Sequence, residues 1–295
     1  MAEAIAQLRP SLDMVRALVA RARNELVRVP GAAVPGVLAP TIFFLGLNSV
    51  FGNLNQLRDF NVDSYASFII PVSMLQGAGF TGAAMGVNLA RDMERGWFDR
   101  LVASPAPRWV LLAGNVASAS IRSLIPATVL FCVAMAIGAH FPGIDGLAIA
   151  LILVMGMAAV AACWGSMLAL HYRSQSVAPL MQSGMFVAIL CTTAYAPLAL
   201  LQGWLKDVAR LNPVTQVIEG VRQGFVGGVS WADTWPAFLV LAGLLALLGA
   251  LALAGLDLME TRRYGLRQYR KLQAERRAMI QRQTTRLRAE RDGGG

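Results

Sequence analysis

The chain is 295 residues long, 56% hydrophobic and only 15% charged, with a mean hydropathy of +0.54. Soluble domains carry about 25% charged residues, so the composition marks a membrane protein and excludes a soluble globular domain. The net charge of +9 and the pI near 10.3 belong to basic residues that anchor the cytoplasmic side of an apolar chain, and no nucleic acid is expected among its partners.

In chain order, residues 11–28 place Leu12, Val15, Leu18, Val19, Ala22 and Leu26 on one helical face and Arg16, Arg23 and Arg28 largely opposite. This pattern predicts a basic helix lying in the cytoplasmic interface, with a solvated N-terminal helix as the alternative. Because an amphipathic segment precedes the first apolar run, insertion without cleavage of a signal peptide is expected.

Six runs then reach the ~20 apolar residues that a membrane crossing needs: 31–52, 64–90, 109–141, 143–170, 177–202 and 231–258. An even number puts both termini on one side. With that side inside, 21 of the 26 basic residues fall in cytoplasmic segments and four outside, Arg122 completing the set; the positive-inside rule therefore makes both termini cytoplasmic. The expected organisation is a cytoplasmic amphipathic helix over 1–30, a six-span domain over 31–258 and a basic cytoplasmic tail over 259–295.

Within the second run, Ser73, Gly77, Thr81 and Asn88 fall within about 80° of one another on a helix, with Gln76 beside them. Close helix packing by small residues explains such a stripe; contact with a transported molecule is the alternative. The third run is too long for one simple span. Residues 123–141 alone suffice to cross, which puts Arg122 near the inner interface, snorkelling or paired, with a buried functional Arg122 as the alternative.

Between the second and third runs lies RDMERGWFDRLVASPAPR, residues 91–108, with seven charges. A short cytoplasmic helix is expected here, anchored by Met93, Trp97, Phe98, Leu101 and Val102 and stopped by Ser104-Pro105, because a residue before proline is steered from helical geometry. An amphipathic loop at the lipid surface is the alternative. The tail beyond residue 258 is expected to be a helical, Arg-rich extension attracted to anionic lipid.

Residues for chemistry are sparse. Only Lys206 and Lys271 are lysines and neither follows a glycine, so this chain contains no GxxxxGK[ST] phosphate loop. Cys132, Cys163 and Cys191 lie in apolar runs without metal or disulfide spacing, and His140 and His171 sit at span ends outside any ligand motif. No metal, cofactor or catalytic residue is expected on this chain. Asp145, Asp233 and Asp257 also lie near span ends, so the mid-membrane carboxylates that ion-coupled transport uses are missing from the runs. The energy source is expected outside this chain.

Two motifs carry a resemblance. Glu94-Arg95-Gly96, Arg100-Leu101 and Ser104-Pro105 resemble the E-R-x-x-G/T…R-L-x-x-S-P signature of type-2 ATP-binding-cassette (ABC) permeases, the family of the daunorubicin-resistance exporters. The stretch APLALLQGWLKDVARLNPVTQVIEGVRQGF resembles that family's outer segment, with Trp204, Leu205, Asn212, Pro213, Thr215 and Arg222 matching and Gln202-Gly203 standing where a proline is often found.

The resemblance implies an all-α membrane protein with six transmembrane helices, a cytoplasmic coupling helix, and an outer re-entrant or helical segment between spans five and six. It implies the permease half of an exporter in a bacterial inner membrane, moving amphipathic drug-like, lipid or glycolipid molecules. Its implied partners are two copies of a separate ATP-binding subunit, which carries the ATP and Mg, and a second permease subunit, identical or homologous. Arg91, Asp92, Glu94, Arg95, Asp99 and Arg100 are the expected ATPase-coupling residues. Gln76, Phe80, Thr81, Gln182, Met185 and Tyr195 are the expected substrate-path residues, because they place polar or adaptable side chains inside apolar runs. A secondary transporter, a membrane scaffold and a membrane-embedded enzyme are the rival functions.

Overall fold

The computed structural model describes residues 34–52, 64–98 and 108–256, with seven helical positions between Asp13 and Asn24. Most of the expected N-terminal helix, the coupling residues Asp99 and Arg100 with the Ser104-Pro105 stop, and the basic tail lie outside the described residues. The chain divides into two compact units, Met1–Leu253 and Ala254–Gly295, and all the packing below belongs to the first.

The described residues are helical, without strands. The helices are α1 (Val34–Phe51), α2 (Tyr65–Glu94), α3 (Arg108–Ala136) and α4 (Gly143–Tyr172), then, after a 3₁₀ turn at Gln175–Val177, α5 (Ala178–Leu190), α6 (Trp204–Leu211), α7 (Val214–Val226) and α8 (Trp231–Leu256). Four of these, α2, α3, α4 and α8, are long and apolar enough to cross a membrane; α1 and α5 are shorter apolar helices.

Close contacts set the helix directions. Gly36 of α1 lies against Gly77 and Thr81, while Phe51 meets Tyr65 with ring centroids 6.1 Å apart, so α1 runs antiparallel to α2. Gly77 also meets Pro126 of α3, and Arg122 meets Met85, which makes α3 antiparallel to α2. Gly79 faces Met185 and Ile189 of α5, while Glu94 reaches Gln175; α5 is therefore antiparallel as well. By contrast α4 runs parallel to α2, with Gly82 on Ala158 and Ala161, and Gly86 on Gly165. From Gly156–Leu241 and Gly249–Cys163, α8 runs parallel to α4. The helices α1 to α5 and α8 thus alternate in direction along the chain.

The core sits on α2. It is the least apolar of the four long helices and the most buried, packed by α1, α3, α4, α5 and α7. The most apolar, α8, is largely exposed. This inversion follows from the solvent. Lipid tails are as apolar as leucine, so burial is driven by close backbone approach and polar contacts between helices, not by hydrophobicity. The stripe of Ser73, Gly77 and Thr81 does pack closely: a Cβ added at Gly77 would stand 3.0 Å from Gly36 O and from Pro126 Cβ. Thr81 Oγ1 donates back to Gly77 O at 2.8 Å.

Two segments differ from expectation and a third differs in part. The third run is one helix, Arg108–Ala136, with Arg122 at its middle. Arg122 does not snorkel outward; it is 9% exposed and Nη1 lies 3.4 Å from Met85 Sδ, because α3 turns that face toward α2. The fifth run is not one long span. Its helix ends at Leu190, and thirteen residues cover about 20 Å, short of the ~30 Å hydrocarbon; residues 191–203 are non-helical. Finally, the charged stretch is shared between two helices, for helix resumes at Trp97 and Phe98 and the rest of the expected coupling helix lies outside the described residues. α2 continues through Arg91, Asp92 and Met93 to Glu94, turns at Arg95-Gly96, and buries Phe98 at 2% exposure.

The Gly86–Gly165 contact leaves no room for a side chain, since a Cβ on Gly86 would sit 2.4 Å from the Gly165 carbonyl carbon. Gly86→Ala is expected to cost about 1–3 kcal/mol by overpacking. Gly243→Ala, in α8 with nothing within 4 Å of its Cβ position, is expected to be neutral or to stabilise by about 1 kcal/mol through helix propensity. Thermal unfolding of the purified chain in detergent, monitored by loss of the monodisperse peak, separates the two.

Candidate functional site

Two polar networks lie toward opposite ends of α2, meeting it at Phe68 and Glu94, about 39 Å apart along the helix. The first is built on α7. Its sequence VTQVIEGVRQGFV turns Val214, Val217, Ile218, Val221 and Phe225 inward, and the i,i+3 spacing brings Glu219 and Arg222 together.

Arg222 is 4% exposed. Its Nη1 donates to Glu219 Oε1 at 2.6 Å, Nε to Phe68 O at 3.2 Å, and Nη2 to Thr193 O at 2.8 Å. The guanidinium carbon also stands 3.8 Å from the centroid of the Phe68 ring. One cation therefore joins α7, the start of α2 and the chain after α5. Burial of a charge on this scale is tolerable only with such full pairing, and the planar fork of arginine meets three acceptors that a lysine could not reach together. Thr193 Oγ1 donates to the same Glu219 oxygen at 2.5 Å.

The Asn212-Pro213-Val214-Thr215 stretch forms an adjoining hub. Asn212 Nδ2 donates to Ala188 O and Cys191 O, both at 2.8 Å, and so satisfies carbonyls left open where α5 ends. Its Oδ1 accepts from Val214 N at 3.0 Å, and Thr215 Oγ1 donates to Ala209 O at 2.6 Å. Two side chains thus tie the ends of α5, α6 and α7. Upstream, Gly203 enters α6 at φ 60°, a conformation open chiefly to glycine.

Of the expected path residues, Gln76 and Tyr195 meet, and Met185 packs on α2 nearby in sequence, at Gly79. Gln76 is 2% exposed and donates from Nε2 to the Tyr195 hydroxyl at 2.9 Å, and the Tyr65 hydroxyl donates to Tyr195 O at 3.4 Å. Phe80 stacks on Phe186 with centroids 6.3 Å apart, and Phe186 meets Phe43 of α1 at 5.9 Å. Thr81 turns instead to α1, and Gln182 is half-buried on α5. The six do not converge on one point.

The second network gathers the coupling residues. Glu94 Oε1 accepts from Gln175 N at 2.8 Å and from Ser174 Oγ at 3.0 Å, and Oε2 accepts from Gln175 Nε2. Arg91 Nε donates to Gln175 Oε1 at 3.0 Å. Glu94 lies past the apolar run that ends at Ala90, and the donors of Gln175, then of Ser174, hold its carboxyl below the usual carboxylate range. Asp92 is half-buried and Arg95 is exposed. Among the described residues no cluster of His, Cys, Asp and Glu is suited to hold a metal ion.

Sequence alone did not single out Phe68, Thr193, Glu219, Ser174 or Gln175. The one legible signal was the opposite-charge pair Glu219 and Arg222 in a helix with no other charge. The contacts of Glu94 span some eighty positions and leave no local trace.

Removing the Arg222 fork leaves Glu219 without its cation and the Phe68 and Thr193 carbonyls without this donor. Arg222→Ala is expected to destabilise by roughly 3 kcal/mol, the low end for a broken buried pair, because the Glu219 side chain is 42% exposed. Arg222→Lys is expected to recover less than half of that. Asn212→Asp, which replaces two donated hydrogen bonds by carboxylate–carbonyl repulsion, is expected to cost at least about 2 kcal/mol. Thermal midpoints of the three variants in one detergent check the order.

Residues 14–226 match the family described as ABC-2 type transporter. The chain is 26% identical over 217 residues to a Mycobacterium tuberculosis protein named "Probable doxorubicin resistance ABC transporter permease protein DrrC", covering 72% of this chain and 75% of that one. It is 26% identical over 210 residues to "Inner membrane transport permease YadH" of Escherichia coli, covering 66% and 75%. To "Probable multidrug ABC transporter permease YbhR" of Escherichia coli it is 24% identical over 193 residues, 62% of this chain and half of that one. A match over most of the chain, on a helical membrane fold, places it: the chain belongs to the ABC-2 type transporter family.

Proposed function

We propose that this chain is the membrane-spanning permease subunit of an ATP-driven exporter of a bacterial inner membrane. It pairs with a second permease, identical or homologous, and with two copies of a separate ATP-binding subunit that holds ATP and Mg. The cargo is an amphipathic drug-like, lipid or glycolipid molecule. Relatives named for doxorubicin and multidrug resistance support the drug-like end of that range, and the missing phosphate loop supports a separate ATPase.

In this assignment α1 to α5 and α8 are six crossings, both termini are cytoplasmic, and the Glu94 end of α2 faces the cytoplasm. The short α5 is completed by residues 191–203, and the α6–α7 hairpin caps the outer side. Trp204 and Trp231, 70% and 74% exposed, suit an outer aromatic belt.

The observation that carries the proposal is the continuity of α2. One unbroken helix joins the charged Arg91–Glu94 end to the Phe68 carbonyl held by Arg222. Movement delivered at the cytoplasmic end is transmitted along it to the outer hairpin. Arg91, Asp92, Glu94 and Arg95, with Asp99 and Arg100 beyond the described residues, make up the coupling element. Gln76, Phe80, Met185 and Tyr195 flank the α2–α5 seam as the nearest cargo-facing groups, with Thr81 and Gln182 beside it.

Purification of the C-terminally tagged chain in mild detergent is expected to bring down a P-loop ATPase in stoichiometric amount; repeated recovery of the chain alone across detergents would overturn the proposal. In inside-out vesicles carrying that complex, Glu94→Lys is expected to slow ATP-dependent doxorubicin uptake about tenfold, the mid-range of energetic coupling between sites, while ATP hydrolysis and membrane insertion persist. Unchanged uptake would remove Glu94 from the coupling element.

A further inference from the structure

We infer that Glu94 is the positioning residue that fastens the turn at residues 173–177 to the Arg91–Arg95 end of α2, so that the ATP-binding subunit meets the two segments as one surface. This rests on the permease assignment above and adds to it the clasp that sets the 173–177 turn against α2.

Glu94 spends its carboxylate within its own chain. Both oxygens are engaged, and all three donors come from Ser174 and Gln175. A carboxylate used in this way holds a neighbour in place and is a poor candidate for direct contact with a partner. The Gln175 side chain is gripped at both ends, its Nε2 by Glu94 and its Oε1 by Arg91, so a single turn of α2 fixes one amide completely.

The turn itself is well defined. Arg173 ends α4 in the left-handed region at φ 55°, its N–H bonded to Ala169 O at 2.8 Å, and Ser174 Oγ accepts from Ser176 N at 3.2 Å. With the backbone thus held, Tyr172, Arg173 and Ser176 are exposed at the same end of the bundle as Arg95. An exposed cationic side chain therefore stands on each segment, with Tyr172 next to Arg173 in the chain. Such a patch suits an anionic, partly apolar protein surface.

The two segments also move together. α2 and α4 run parallel and touch through Gly86 and Gly165 with no side chain between, so displacement of one backbone displaces the other. A partner pressing on both segments acts on a single body, and without the Glu94 clasp the 173–177 turn loses its registration to α2.

The test places a photo-cross-linking amino acid separately at Ser176 and at Arg95, with exposed Gln202 as the control on the opposite end, in the full chain co-expressed with the ATP-binding subunit recovered above. Adducts to that subunit are expected from Ser176 and Arg95 and not from Gln202. In Glu94→Ala the Ser176 adduct is expected to fall about tenfold, the order set by losing charge-assisted hydrogen bonds, while the Arg95 adduct persists. Glu94→Gln, which keeps an acceptor oxygen, is expected to retain more of it. Gln175→Ala removes the clasp from the other side and serves if Glu94→Ala does not accumulate.

An Arg95 adduct with Ser176 labelling only lipid would overturn the two-segment surface and leave the permease assignment standing. Ser176 adducts undiminished in both Glu94→Ala and Gln175→Ala would overturn the role of Glu94. If no ATPase is recovered and neither position labels one, the permease assignment and this inference fall together.

Discussion

The structure depends on one close contact, the parallel approach of α2 and α4 at Gly82, Gly86 and Gly165. In lipid no hydrophobic force draws two apolar helices together, so a buried helix must gain dispersion contacts and backbone proximity instead. Glycine on both sides permits that proximity, and the other helices then assemble around the pair. α1 and α3 use the same device at Gly36, Gly77 and Pro126. That explains why the least apolar long helix lies at the centre and the most apolar one at the edge.

Polar fastening at both ends completes the body. Toward the start of α2 a guanidinium takes acceptors from three segments; past its apolar run a carboxylate takes donors from a turn some eighty residues away. The first answers the requirement that polar groups removed from water be paired; the second stands exposed and fixes the 173–177 turn against α2. In the middle of α2, Ser73 and Thr81 bond back to their own helix and Gln76 is satisfied by Tyr195. On the proposed assignment, a stiff central pair held at both extremities carries displacement along α2 with little lost to local bending.

Much of this was legible in the residues. The runs 31–52, 64–90, 143–170 and 231–258 lie close to α1, α2, α4 and α8, because hydropathy reports the length of helix that lipid accepts. Close packing of the Ser73, Gly77 and Thr81 stripe was also legible, since small residues at helical spacing have few other uses. Arg122 was not. Hydropathy places an arginine by its distance along the chain, whereas its direction is set by which face α3 presents to Met85. The fifth run likewise reads as continuous apolar sequence, and nothing local in Cys191-Thr192-Thr193 announces that the helix stops there. Its end is decided by Asn212, some twenty residues on, which supplies the donors for its last carbonyls.

The sequence by itself determined the solvent, the helical class, the positions of four helices, the family-like motifs and the lack of a phosphate loop in this chain. These follow from composition, periodicity and short-range spacing, which act within a few residues. Only the tertiary structure decided that α2 is the centre, that Arg222 joins three segments, and that Glu94 is spent on the 173–177 turn. Those facts depend on contacts between residues 29 to 154 positions apart, and such contacts exist only once the helices have chosen their neighbours.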